Sequence, residues 1–162
     1  MMTTSNCTQI VTLDLPDEQA SASFAMKLAT LLHPPLILTF SGDLGAGKTT
    51  LVRAMLRQLG ITSAIKSPTF SLVESYVCHN MSVHHFDLYR IHHEDELEYL
   101  GFRDYFIAES ICCIEWAEHA GKALPKEDIR FKLSIKGAGR EMQITALSDA
   151  GKGILARLTG EL

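Results

Sequence analysis

The sequence lacks the segments that would direct a chain into or across a membrane. No stretch approaches the roughly 20 consecutive apolar residues that span a bilayer. Residues 1–16 have neither a basic start nor the long apolar run of a secretion signal. We therefore expect a cytoplasmic protein with no membrane contact.

Cysteine is scarce, and its spacing is not that of a metal or disulfide framework. The four cysteines are Cys7, Cys78, Cys112 and Cys113, and none of them forms a C-x-x-C pair. Without a secretion signal, this pattern predicts reduced and mostly buried thiols.

An excess of positive charge is also missing. Fifteen lysines and arginines stand against nineteen acidic residues, which gives a formal net charge of −4. This balance argues against binding nucleic acid by bulk electrostatics, and we expect no DNA partner. Any contact with RNA would need a local patch or a partner protein.

What the chain does have is enough apolar material for one core. Its 162 residues are 46% hydrophobic and contain no internal repeat or linker-like stretch. Residues 1–162 are therefore predicted to form a single domain.

Apolar periodicity predicts strands and helices that alternate along much of the chain. The predicted strands are 8–15, 36–41, 69–77, 82–88, 110–115, 129–136 and 140–147. The predicted helices are 17–32, 48–59, 94–101 and about 150–159. The alternation indicates a layered α/β domain, while the two adjacent strand pairs resemble hairpins, so the sheet should be mixed.

A phosphate-binding motif joins the second predicted strand to the second helix. Gly42, Gly47, Lys48 and Thr49 fit G-x-x-x-x-G-K-[ST], and the strand–loop–helix context is the one this motif requires. The glycines let backbone N–H groups converge on an anion. Lys48 can place a charge on the β- and γ-phosphates, and the Thr49 hydroxyl can bind Mg²⁺.

Two acids are candidates to complete such a site. Asp87 ends the strand of SVHHFDLYR, and Glu115 closes the apolar run 111–114. Glu115 is the stronger candidate, because its strand has the pattern of a fully buried one and ligands bind at the carboxyl edge of such sheets. Either acid could instead be a structural ion-pair partner or a cap.

Three weaker features accompany these residues. Ser67, Pro68 and Thr69 could form a nucleotide-sensing switch, although Ser-Pro-Thr is also ordinary turn chemistry. Arg90 could act as an internal arginine finger, but a structural ion pair is the favoured interpretation. The pair His84-His85 could suggest zinc, yet neighbouring residues of a strand point to opposite faces, which favours structural roles.

Taken together, these segments resemble one known family. GDLGAGKTT, SPTFSLVESY, HFDLYR, DELEYLG, DY and IEW occur in the order and at the gaps found in the bacterial TsaE (YjeE) family. The resemblance covers roughly residues 13–150. It implies an α/β, single-domain P-loop NTPase-like three-layer sandwich with a mixed, mostly parallel central sheet.

The resemblance also implies roles for particular residues. Catalysis would involve Lys48, Asp87 and Glu115; Mg²⁺ would be bound by Thr49 and Glu115. The switch-like element would be Ser67-Pro68-Thr69, and Trp116 would lie next to the nucleotide. Ala117 follows this tryptophan where the family usually has proline, which would loosen the backbone there. The residues expected to bind the phosphates are Asp43, Leu44, Gly45, Ala46, Gly47, Lys48, Thr49 and Thr50.

Members of this family are ATPases required for making threonylcarbamoyladenosine (t6A) in tRNA. The resemblance therefore implies ATP and Mg²⁺ as cofactors and a TsaD–TsaB heterodimer, which holds the transferase site, as partner. The tRNA would be met indirectly, through that complex. Hydrolysis is expected to be weak for the chain alone and stronger with its partners.

Two rival functions stay open at this stage. One is a nucleotide-gated binding partner, or a GTPase-like switch, in which hydrolysis serves as a timer. Guanine recognition by N-K-x-D is not supported, because the only asparagines are Asn6 and Asn80, neither in that setting. The other rival, a small-molecule kinase, usually needs an arginine-rich lid that is not evident here.

Overall fold

The computed structural model describes residues 8–160. In chain order the elements are β1 Gln9–Leu15, α1 Glu18–Ala29, β2 Leu36–Ser41, α2 Lys48–Gln58, β3 Val73–Cys78, β4 Met81–Asp87, α3 Asp95–Tyr99, β5 Ser110–Glu115, β6 Ile129–Lys136, β7 Gly139–Ala146 and α4 Asp149–Leu158. Two 3₁₀ helices, Phe102–Tyr105 and Ala117–Ala123, flank β5.

The main difference from the predicted elements concerns β3. The predicted strand 69–77 begins only at Val73, because the preceding residues form a turn. In that turn the Leu72 amide donates to the Pro68 carbonyl at 2.8 Å, and Leu72 has a φ of 68°. The predicted helix 94–101 is also shorter, with α3 limited to five residues.

The sheet is mixed, as predicted, with strand order β1-β7-β6-β2-β5-β4-β3. Strands β6, β2, β5 and β4 pair in parallel at its centre. The β6–β7 and β3–β4 hairpins and the β1–β7 pair are antiparallel. Parallel pairing is therefore half of the total, less than the mostly parallel sheet expected, because hairpins and β1 build both edges.

Strand β5 lies at the middle of three layers. All six of its residues are buried. On one face Ile111 and Cys113 pack in a cluster with residues of α1, α2 and α4. On the other face Cys112 and Ile114 pack with residues of α3 and the 3₁₀ helices. A parallel strand covered on both faces has the continuous apolar sequence found here, which confirms the layered prediction.

The parallel pairing brings three strand ends to the same edge of the sheet. In the register, Glu115 of β5 lies beside Phe40 of β2 and beside Asp87 of β4. Because β2, β5 and β4 run in one direction, the loop after β2 and both acids meet at their carboxyl ends.

Cys78, Cys112 and Cys113 are free thiols, and burial raises the pKa of Cys112 to about 12. Cys7 lies outside the described residues. None of the helices within residues 8–160 combines the length and the apolar character needed to cross a membrane.

Candidate functional site

The loop between β2 and α2 depends on glycine conformations. Gly42 has a φ of 136° and Gly47 a φ of 101°, in the region that favours glycine. A Cβ on Gly42 would lie 2.3 Å from the Leu133 carbonyl oxygen of β6. At Gly47 a Cβ would meet no atom of the described chain within 4 Å, so its requirement is one of backbone conformation.

The start of α2 presents free backbone donors to this loop. Gly47 is the N-cap, and no side chain of the described residues caps the first turn. Leu51, Val52 and Met55 are buried and fix the helix against the core. Uncapped N–H groups and the positive end of the helix dipole suit a phosphate.

Lys48 lies at the base of the loop and is only 5% exposed. Its Nζ donates to the Gly42 carbonyl, and to the Asp43 carbonyl at 3.1 Å. The same atom lies 4.5 Å from the centre of the Trp116 ring. Burial lowers the pKa of Lys48, while nearby carboxylates, Glu115 above all, act in the opposite direction. The ammonium group therefore lies inside the site and close to its acids.

Thr49 and Glu115 are joined directly. The Thr49 hydroxyl lies 2.8 and 3.1 Å from the two carboxylate oxygens of Glu115, to which it donates. Glu115 is 2% exposed. These hard oxygen donors fit Mg²⁺. Within residues 8–160 no group of three or more His, Cys, Asp or Glu side chains is placed to hold a metal.

Asp87 lies beside this pair but does not share the Thr49 contact. It is 8% exposed, and its Oδ1 accepts the Tyr89 amide at 3.1 Å. Burial raises the pKa of Asp87, and the neighbouring Glu115 adds to the effect. Of the two candidate acids, the structure thus places Glu115 against Thr49 and Asp87 one strand away.

The two adjacent histidines point to opposite faces, as predicted, but one of them enters the site. His84 contacts the Ser75 hydroxyl at 2.7 Å and packs on Tyr105. His85 is 1% exposed, and its Nε2 lies 2.5 Å from Glu115 Oε2. Sequence reasoning asked only whether the pair could share a metal and missed this contact. The available signal was that His85 precedes Asp87 by two residues and so shares its face of the strand.

The switch-like segment adjoins the acids. Ser67 and Thr69 share a hydrogen bond of 2.7 Å between their hydroxyls, and Thr69 lines the cavity of the site. Three residues after the segment, the Leu72 carbonyl accepts a hydrogen bond from the backbone amide of Asp87 at 3.0 Å.

Arg90 also lies at the cavity, held in a way that differs from the expected ion pair. Its guanidinium group lies 4.4 Å from the centre of the exposed Phe70 ring. No carboxylate of the described residues lies within ion-pairing distance of it. A cation–π contact thus replaces the ion pair, because Phe70 is the group that the turn before β3 brings to Arg90.

A cavity of about 730 Å³ connects these groups to the start of α1 and the β6–β7 turn. Its lining includes Leu44, Gly45, Ala46, Gly47, Thr50, Trp116 and Ala54. Asp43 contributes its carbonyl to Lys48 instead. The lining also includes Asp17, Ser21 and Arg140. Arg140 donates to the carbonyls of Ala46 at 3.0 Å and Gly45 at 3.2 Å, and so braces the loop.

Ala117, the residue that departs from the family's usual proline, is buried. It begins the 3₁₀ helix Ala117–Ala123, directly after Trp116, whose φ is 57°.

Comparisons with known proteins agree with this geometry. The family model "Threonylcarbamoyl adenosine biosynthesis protein TsaE" matches residues 15–143. The tRNA threonylcarbamoyladenosine biosynthesis protein TsaE of Haemophilus influenzae is 40% identical over 147 residues, covering 88% of this chain and 93% of the relative. The protein of the same name from Bacillus subtilis is 39% identical over 137 residues, covering 83% of each chain.

A solved structure supports the same assignment. The crystal structure of Bacillus subtilis YdiB superposes with a TM-score of 0.81 at 26% identity, covering 97% of this chain and 99% of the other. Because the family model spans most of the sequence and the relatives match over most of their length, the chain belongs to the TsaE family.

Proposed function

We propose that this protein is a Mg²⁺-dependent ATPase that serves the formation of t6A in tRNA. The observation that carries the proposal is the convergence of Lys48, Thr49 and Glu115 at one end of the cavity, with Thr49 bonded to both oxygens of Glu115. Family membership supports the pathway.

Each residue would contribute a distinct part of the chemistry. The N–H groups at the start of α2 and the Lys48 ammonium would bind and orient the phosphates. Thr49 and Glu115 would hold Mg²⁺, which neutralises charge on the transferred phosphoryl group. Asp87 would help to position the attacking water or the metal's water, with Glu115 as the alternative for that role.

The rest of the cavity offers room for the nucleoside. Besides the loop and the acids, its lining includes Asp17 and Ser21 near the start of α1 and Arg140 of β7. The sequence contains no N-K-x-D segment, which disfavours guanine. We therefore propose ATP as the nucleotide and this part of the lining as the base site.

The proposed setting is a cytoplasmic complex. A TsaD–TsaB heterodimer would carry the transferase chemistry and hold the tRNA, and this chain would act on that complex through ATP hydrolysis. Hydrolysis would be slow for the isolated chain and faster with the heterodimer.

Nucleotide binding can be measured with the sole tryptophan. Trp116 contacts Lys48, so its fluorescence should change when ATP and Mg²⁺ bind. We expect a response to ATP and ADP but not GTP, and we expect Lys48→Ala to abolish it. Lys27→Ala, an exposed lysine at the end of α1, is the matched control. Equal binding by wild type and Lys48→Ala, measured by calorimetry, would refute the site.

Turnover with the heterodimer tests the rest. We expect TsaD–TsaB to stimulate hydrolysis, and equal rates with and without it would contradict the proposed partnership. Hydrolysis matched to t6A formation would identify energy coupling. Nucleotide-gated binding without matched turnover would instead favour the timer.

A further inference from the structure

His85 is a buried polar side chain that the proposed chemistry does not use. It is 1% exposed and lies on β4 opposite Cys113 of β5. Its Nε2 contacts Glu115 Oε2 at 2.5 Å, whereas its Nδ1 finds no hydrogen-bond partner among residues 8–160. Burying a ring nitrogen without a hydrogen-bond partner costs free energy. We therefore expect a role for the other nitrogen, Nε2, in its contact with Glu115.

An ionised Glu115 carboxylate, the form that would bind Mg²⁺, sets the hydrogen-bond roles in this contact. An ionised carboxylate only accepts hydrogen bonds, so Nε2 must be the donor to Glu115. The Thr49 hydroxyl donates to the same carboxylate, at 2.8 Å from Oε1 and 3.1 Å from Oε2. The carboxylate is thus held between a strand residue and the first turn of α2.

From this arrangement we infer that His85 is a positioning residue for the cation site. Its Nε2–H holds Oε2 of Glu115, and Oε1, the oxygen nearer to the Thr49 hydroxyl, would then be the one left for the metal. Side chains that orient metal ligands through hydrogen bonds are a general feature of metal sites. This inference rests on the proposed function, because it assumes that Thr49 and Glu115 hold Mg²⁺.

Two replacements of similar length separate donation from packing. The amide of His85→Gln can donate near the position of Nε2, whereas His85→Met fills the space without a donor. His84→Met is the matched control, because the adjacent His84 faces Ser75 and Tyr105 on the other side of the sheet. Thermal melts of all variants report the cost of altering the core.

The experiment titrates Mg²⁺ at constant ATP and follows Trp116 fluorescence, with a parallel ATP titration in EDTA. We expect His85→Met to raise the half-saturating Mg²⁺ concentration about tenfold. Its ATP affinity in EDTA should be unchanged, and His85→Gln and His84→Met should resemble wild type.

The outcomes distinguish this inference from the proposed function. If wild type shows no Mg²⁺-dependent nucleotide binding, the proposed function fails and the inference with it. If wild type does show it, and His85→Met equals wild type, or His85→Gln fails to the same extent as His85→Met, the positioning role alone is overturned. A loss of ATP affinity in EDTA equal to that in Mg²⁺ would also overturn it, because a disturbed core would then explain the effect.

Discussion

The two sides of the site are built in different ways. The loop side is local, because Gly42, Gly47 and Lys48 lie within a few positions and act through backbone geometry and one ammonium group. The acid side is assembled from β4 and β5, whose residues Asp87 and Glu115 lie far apart in sequence and meet through strand register.

The two sides should respond differently to substitutions. Backbone geometry fails when the chain cannot adopt its φ or when an atom is forced into a neighbour. A cluster of buried side chains fails when one charge or hydrogen bond is lost. The loop side should therefore be most sensitive in folding, and the acid side most sensitive in chemistry.

The largest effect on folding should come from Gly42→Ala. The new Cβ would lie 2.3 Å from the Leu133 carbonyl oxygen at a φ of 136°, so strain and overlap add. We expect the free energy of unfolding, measured with urea, to fall by about 3 kcal/mol. In Gly45→Ala, the matched control, only the strain at a φ of 81° applies, and the loss should be about 1 kcal/mol.

Equal losses of unfolding free energy in the two variants would mean that the loop does not depend on its close approach to β6.

Glu115→Gln should have the largest effect on chemistry. The replacement keeps an oxygen that can accept from Thr49 but removes the charge that would attract Mg²⁺. We expect kcat for ATP hydrolysis with TsaD–TsaB to fall about 100-fold. Glu109→Gln, at an exposed position directly before β5, is the control and should keep full activity. A normal kcat for Glu115→Gln would move the catalytic role to Asp87.

Arg140→Gln tests whether the loop side is truly local. Arg140 reaches from β7 to the carbonyls of Gly45 and Ala46, so its loss should let the loop spread. We expect the Kd for ATP to rise about fivefold, equivalent to about 1 kcal/mol. Lys136→Gln on the same hairpin removes only surface ion pairs and should leave the Kd unchanged. No change in either variant would mean that the loop supports itself.

The same contrast explains what could be predicted from the sequence. The loop motif and the two acids followed from local patterns, since glycine spacing and apolar strand endings are visible in the chain itself. The contact between His85 and Glu115 depends on how β4 pairs with β5, and pairing register is not encoded in either strand alone. Likewise, Ser-Pro-Thr indicated turn chemistry, but the extension of the turn to Leu72 was missed, because a positive φ is unusual for leucine.

The extent of parallel pairing shows a related limit. Buried apolar runs identify the central strands, and turn residues identify hairpins, but neither pattern says where β1 attaches. Its antiparallel pairing with β7 forms one edge of the sheet, and no local sequence pattern predicts this pairing. Sequence patterns thus predicted the centre of the sheet better than its borders.

The smallest effect is expected for Asp87→Asn, which tests whether a buried charge destabilises the acid side. Burial raises the pKa of Asp87 in the folded protein, so the folded state binds this proton more tightly than the unfolded state does. Its contribution to stability is therefore present at low pH and is lost as pH rises through the folded pKa. At pH 7 the buried charge destabilises the folded state, and its removal should raise Tm by roughly 2–4 °C for a domain of this size.

The Tm gain from Asp87→Asn should depend on pH, because only the ionised carboxyl group destabilises the folded state. The gain from Asp87→Asn should shrink as pH falls towards the ordinary aspartate pKa of about 3.9, and it should vanish below that pH, where the carboxyl group is neutral in both states. Asp104→Asn, at an exposed position, should show no such pH-dependent gain. A Tm increase that is the same at every pH would mean that charge is not its cause. A lower Tm of Asp87→Asn at pH 7 would mean that the Asp87 charge stabilises the folded protein. The acid side would then not be destabilised by its buried charge, and the distinction between the two sides would be lost.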